Sequence, residues 1–213
     1  MSAFPNISAF AQNRLYKVIG CCIAGIEFVT LPGSEEYRPH FVLYPLWKTD
    51  MKKCLDAPII LKQLYNKKRI QFDIPFGKHS IYFPNAVECF KSQISVSLDG
   101  SVSLKSLFDF VNTLFNDMLV RTNAAEQAKL FELKFFAALY TGSQNQVQNV
   151  LSEIQQAGKN WNMQMFETWH DKFDLWFLEL QEKANKPECF FKQIEINKQD
   201  MKIKQLKGSD LIA

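Results

Sequence analysis

Near residue 105 the apolar positions change period, from the two-residue alternation of strands to the three-and-four spacing of helices. Before that point, Leu15 to Leu31 is rich in β-branched and small apolar residues and ends at the turn pair Pro32-Gly33. Gly20 or Gly25 marks a bulge or a reversal within this run. Phe41 to Trp47 predicts another strand, which Pro39 and Pro45 confine to an edge or bend. Ile59 to Asn66 reads as a short helix. Ile70 to Ile74 alternates and, across Pro75-Phe76-Gly77, predicts a hairpin with Ser80 to Phe83. Ile94 to Leu98 alternates up to Asp99-Gly100. Beyond it the chain either returns as a tight hairpin through Ser101 to Leu104 or enters a helix directly at Ser103.

Four helices are predicted next. Leu107, Phe108, Val111, Leu114, Phe115, Met118 and Leu119 share one face of the first, with Ser106 and Asp109 placed as a capping pair. Asn123 and Glu126 form a capping box for the second. That helix runs through Leu130, Phe131, Leu133, Phe135, Phe136 and Leu139 to a stop at Gly142, apolar nearly all round and therefore central. Ser143 and Gln146 open a third helix, striped by Val147, Val150, Leu151 and Ile154 and ended by Gly158. The fourth spans about Asn160 to Ala184, aligns Phe166, Trp169, Phe173, Trp176, Phe177 and Leu180, and is closed by Pro187.

The fold class that follows is α+β, a mainly antiparallel N-terminal sheet and a four-helix C-terminal half with a last strand returning to the sheet. Residues 1–213 read as one composite domain: a strand-rich half to 104, a helical half over 105–186, a strand within 187–199 and a mobile tail over 200–213. Junctions near 84–92 or 99–105 lack a Gly/Ser-rich linker that would separate lobes. No internal repeat or low-complexity segment is present.

Composition sharpens this picture. Nineteen Phe and four Trp stand against three His in 213 residues, so the chain carries much interface-grade apolar surface and few reactive groups. A net charge of +3 is too small for whole-surface attraction to polyanions. Five widely spaced cysteines give no disulfide framework, and Cys21-Cys22 sits in an apolar run, which suits a reducing compartment. Met1 to Ala11 lacks the basic and apolar regions of a signal peptide, so the sequon at Asn6-Ile7-Ser8 carries little weight. Val18 to Val29, interrupted by Gly20, Gly25 and Glu27, is shorter than the roughly 20 residues of a bilayer span. A cytoplasmic location without membrane insertion is expected.

Candidate chemistry is sparse. His170 and Asp171 are adjacent and diverge on a helix, whereas His170 and Asp174 are close enough to meet. Chelating Cys or His spacings are absent, and Gly77-Lys78-His79-Ser80 lacks the glycine and the Ser/Thr of a phosphate-binding loop. No cofactor or metal is expected. Lys67, Lys68 and Arg69, near Tyr65 and Phe72, form the one basic run suited to binding an acidic protein partner or nucleic acid, although such runs are usually solvated turns. Trp169 and Trp176 lie nearly on one helix face, with Trp161 offset by about 80° from Trp169. Some of these rings fill the core; Trp161, Trp169, Phe173 and Trp176 are also the candidates for holding a partner.

In length, in its Phe/Lys/Asn/Gln-rich composition and in this motif-poor α+β pattern, the chain resembles the small accessory adaptor subunits of the Dot/Icm type IV secretion coupling complex of Legionella-like bacteria (LvgA- or DotY-like proteins). Phe131-Glu132-Leu133-Lys134-Phe135-Phe136 and Trp169-His170-Asp171-Lys172-Phe173 are in that style. The resemblance implies a cytoplasmic, non-enzymatic subunit that docks on a coupling ATPase with companion chaperones and helps recruit effectors. It transfers no site residues. The residues themselves predict a protein-interaction subunit in a hetero-oligomer. Two alternatives stay open: an enzyme whose site converges on His79, His170 and a cysteine, and a nucleic-acid binder using Lys67, Lys68 and Arg69.

Overall fold

The apolar run that begins at Leu15 folds back on itself at Gly20, whose φ of 55° is open to glycine and strained for other residues. In the computed structural model, which describes residues 3–213, the reversal joins β2 (Arg14–Ile19) to β3 (Cys22–Thr30). β1 (Ser8–Ala11) pairs with the outer edge of β2, and β4 (Glu36–Pro45) with the far side of β3, all antiparallel. A short helix, α1 (Met51–Cys54), leads to β5 (Ile60–Gln63), which pairs with β4, as does β6 (Ile74–Pro75) further along.

β4 is thus an interior strand, so of the edge and the bend that its prolines allowed, the edge is not taken. Its prolines fit because the Ile59 N–H bonds to the Leu43 carbonyl, so the odd positions of β4 face β5. β5 pairs only with residues 40–43, leaving the nitrogens of Pro39 and Pro45 beyond its ends. The segment 59–66, expected as a helix, supplies β5 instead.

After β6, Phe76–Lys78 makes a 3₁₀ turn into α2 (His79–Gln93). Ser80 to Phe83 is therefore helical, and no hairpin forms there. Phe83, Ala86, Val87 and Phe90 turn toward the core at helical spacing, and this longer period outweighs a four-residue alternation. Ile94, Val96 and Leu98 are buried but join no strand. Their alternation reports one-sided burial, with the Lys17 Nζ donating to the Leu98 and Gly100 carbonyls at 3.1 and 3.2 Å.

β7 (Val102–Ser103) runs directly into α3 (Leu104–Leu114), the second of the two routes open at Ser103. Ser103, rather than Ser106, is the cap, its Oγ accepting the Ser106 N–H. A break at 115–117 gives α4 (Met118–Arg121), and Asn123 caps α5 (Ala124–Tyr140) through the Ala125 and Glu126 N–H groups. α5 is buried along most of its length. Gly142, at φ 71°, turns the chain into α6 (Gln144–Gly158), where Ser143 holds the cap position without a side-chain bond.

The single fourth helix of the sequence is two, α7 (Met163–Trp169) and α8 (Phe173–Asn185), with His170 in extended backbone between them. The 187–199 strand is corrected to a helix, α9 (Glu188–Lys198), burying Phe190, Ile194 and Asn197 at three-and-four spacing. A late strand does return to the sheet, from further along. β8 (Gly208–Ser209) lies parallel to β2 beside Val18 and Ile19, and β9 (Leu211–Ile212) lies parallel to β7.

One face of the sheet packs on α2 and α3: the Phe41 ring lies 5.8 Å from Phe90 and 5.6 Å from Phe110. On the other face Tyr16 lies over Gly25, where a Cβ would come within 2.6 Å of its ring. Tyr16 and Tyr44 both donate to Oε1 of Glu27, and Arg14 stands 3.6 Å away. Burial, then the Glu27 bond, pushes the Tyr16 phenol well above its ordinary value.

The tail expected to be mobile is packed. Leu211 and Ile203 are buried, and the Lys207 N–H bonds to Ser8 Oγ at 3.0 Å. Leu211→Ala should therefore lower the unfolding free energy by about 3 kcal/mol in urea titrations, as a buried leucine does; a mobile tail would leave it unchanged.

Candidate functional site

The loop after β4 crosses the ends of α5 and α9, and the meeting leaves a groove. Asn197 Nδ2 of α9 donates to the Leu46 and Lys48 carbonyls, both at 2.8 Å, and so fixes where Trp47 and Lys48 emerge. Trp47 packs on Phe136 of α5 at 4.6 Å, and Phe136 stacks on Phe190 at 5.2 Å. These rings, with Trp176 and Leu180 of α8, line a cavity of about 390 Å³. A second, of about 450 Å³, continues it past Lys48, Lys53 and Glu132 to Trp169 and His170.

Glu132 stands where the two cavities meet. It projects from α5 with its side chain 14% exposed. Trp176 Nε1 donates to its Oε1 at 2.8 Å, and Lys48 Nζ lies 3.5 Å from its Oε2. A half-buried carboxylate is stable when both oxygens are engaged in this way. The His170 ring stacks on Phe166 at 4.8 Å and 7°. Burial lowers the His170 pKa, and the neighbouring Glu132 charge opposes that shift without reversing it.

The four aromatic candidates divide. Trp169 is 75% exposed. Trp176 is buried, and Trp161 and Phe173 are half-buried. Trp161 Nε1 donates to Gln127 at 2.9 Å, and the Phe173 ring fills the space over Gly158 that a Cβ would enter at 2.8 Å. With Phe166 these three build the internal cluster that holds α7 and α8 in place.

Lys67, Lys68 and Arg69 form an exposed turn, held by the Asn66 carboxamide oxygen accepting the Lys68 and Ile70 N–H groups. Phe72 is buried and Tyr65 bonds to Gln93 and Gln63, so the rings expected to interleave with these cations are engaged elsewhere. His79 bonds to the Tyr37 hydroxyl at 2.7 Å, in a different cavity from His170. No hydrogen bond joins a histidine to a cysteine among the described residues, so the convergence of His79, His170 and a thiol is not formed. Nor is a His170–Asp174 bond made; His170 instead interacts with the Ala125 backbone.

Lys48, Lys53, Glu132 and Cys189, all lining the groove, carry no local sequence signal, because they come from four separate elements. Cys189 is the one exposed cysteine of the five. No protein-family model, curated protein or solved structure matches this chain. No helix among the described residues is long and apolar enough to cross a membrane.

Two outcomes follow from this geometry. Native protein should release one equivalent of thiol to DTNB rapidly, from Cys189, and five after denaturation. A histidine held below its ordinary value of 6.5 stabilises above that pH and loses the contribution as pH falls below it, when the unfolded chain takes up the proton first. Stability should thus drop as pH falls below about 6.5, and His170→Asn should flatten that slope, leaving the part due to His40, which burial also lowers.

Proposed function

We propose that this chain is a protein-interaction subunit that holds a segment of another polypeptide in the groove between its sheet and its C-terminal helices. The observation that carries this reading is Trp169, three-quarters exposed on the wall of a cavity that opens into an aromatic floor. An indole left in water beside a concave apolar surface is the arrangement from which interface anchors are drawn. Its neighbours Trp161, Phe173 and Trp176 hold the helices beneath it, so the anchor rests on a rigid base.

Association with companion subunits in the cytoplasm is the form this function takes. The adaptor role in a type IV secretion coupling complex, implied by the resemblance, is its most specific version. Trp169→Ala tests the reading. The substitution should change unfolding free energy by less than about 0.5 kcal/mol, being on the surface. It should weaken binding to the polypeptide that co-purifies with wild-type protein by about 30-fold or more, as removal of a tryptophan hot spot does. Wild-type protein recovered from its native cytoplasm as a free monomer would overturn the proposal.

A further inference from the structure

Charges along the groove are unevenly compensated. Of the acids lining the 390 Å³ cavity, Glu132 is held by Trp176 and Lys48, and Glu179 by Lys183 at 3.1 Å. Lys53 and Lys186 line the same cavity, and neither ammonium has an ion-pair or hydrogen-bond partner among the described residues. Trp47 Nε1, in the same wall, is buried with no acceptor. The 390 Å³ cavity therefore carries two unpaired ammonium groups and no unpaired carboxylate around an aromatic floor.

This pattern selects an occupant. A purely apolar segment would cover the ammonium groups without compensation, which weakens its binding. A basic segment would meet like charge. An acidic one supplies carboxylates for Lys53 and Lys186, while an aromatic or aliphatic residue between the acids covers Phe136, Trp176 and Phe190. We infer that the partner segment is an acidic stretch of polypeptide with an apolar anchor, placed by Lys53 and Lys186. The inference rests on the groove reading above and names the chemistry of what the groove takes.

A random copolymer of glutamate and tyrosine is the probe, with selectively excited tryptophan emission as the readout, since Trp47 and Trp176 line the cavity. Binding should be saturable, about tenfold weaker for polyglutamate and absent for a lysine–tyrosine copolymer. Lys53→Glu with Lys186→Glu should lower affinity about tenfold or more. Lys67→Glu with Lys68→Glu, the same charge change outside the groove, should leave it within about twofold. The copolymer should also slow maleimide labelling of Cys189. Equal losses in the two double variants, or equal binding of the lysine copolymer, would overturn the inference. Should the native partner be lost by Trp169→Ala but retained by Lys53→Glu with Lys186→Glu, the groove reading stands and the acidic occupant falls.

Discussion

Phe136 is the residue on which the two halves of the molecule meet. Its ring is held between Trp47, which follows the interior strand β4, and Phe190, near the start of α9. Cys21, at the β2–β3 reversal, points its thiol at the Phe136 carbonyl, 3.8 Å away. A helix apolar on nearly every side must be covered on every side, and the sheet end, α3, α6 and α9 each cover part of α5. The groove is the space these elements leave where the loop after β4 crosses over them. Its floor is made from core residues, which gives the groove the rigidity of an interior.

The polar groups within this packing follow one rule, and the groove departs from it. Lys17 is buried and gives its ammonium to two carbonyls. Lys134 is buried and bonds to Glu153 and Asn112, with the Phe108 ring 5.1 Å away. Glu27 takes two tyrosine hydroxyls. Each of these charges is satisfied because an unpaired one in low dielectric would outweigh the packing around it. Lys53 and Lys186 remain uncompensated because water still reaches them, and Trp47 Nε1 is left without an acceptor beside them. The interior charges are thus paired, whereas two cations on the groove wall are not.

The sequence by itself determined the α+β class, the long central helix with its Asn123 cap, and the stops at Gly142 and Gly158, but left the break in the first run open between Gly20 and Gly25. These are local facts: a positive φ admits glycine, a cap needs a side-chain oxygen at one position, and an all-apolar helix cannot face water. Where a segment's pattern was short, tertiary contacts decided. The strand readings of Ser80 to Phe83 and of residues 187–199 gave way to helices, because Phe83, Ala86 and Phe90, or Phe190, Ile194 and Asn197, find the core only at helical spacing. The tail became strands because β2 and β7 present unpaired edges to Gly208–Ser209 and Leu211–Ile212. The exposure of Trp169 beside the burial of Trp176 was likewise undetermined until the chain broke at His170 and turned two faces of one pattern to different neighbours. The groove belongs wholly to the tertiary structure, since its lysines, its glutamate and its rings reach one place only through the packing of elements far apart in the chain.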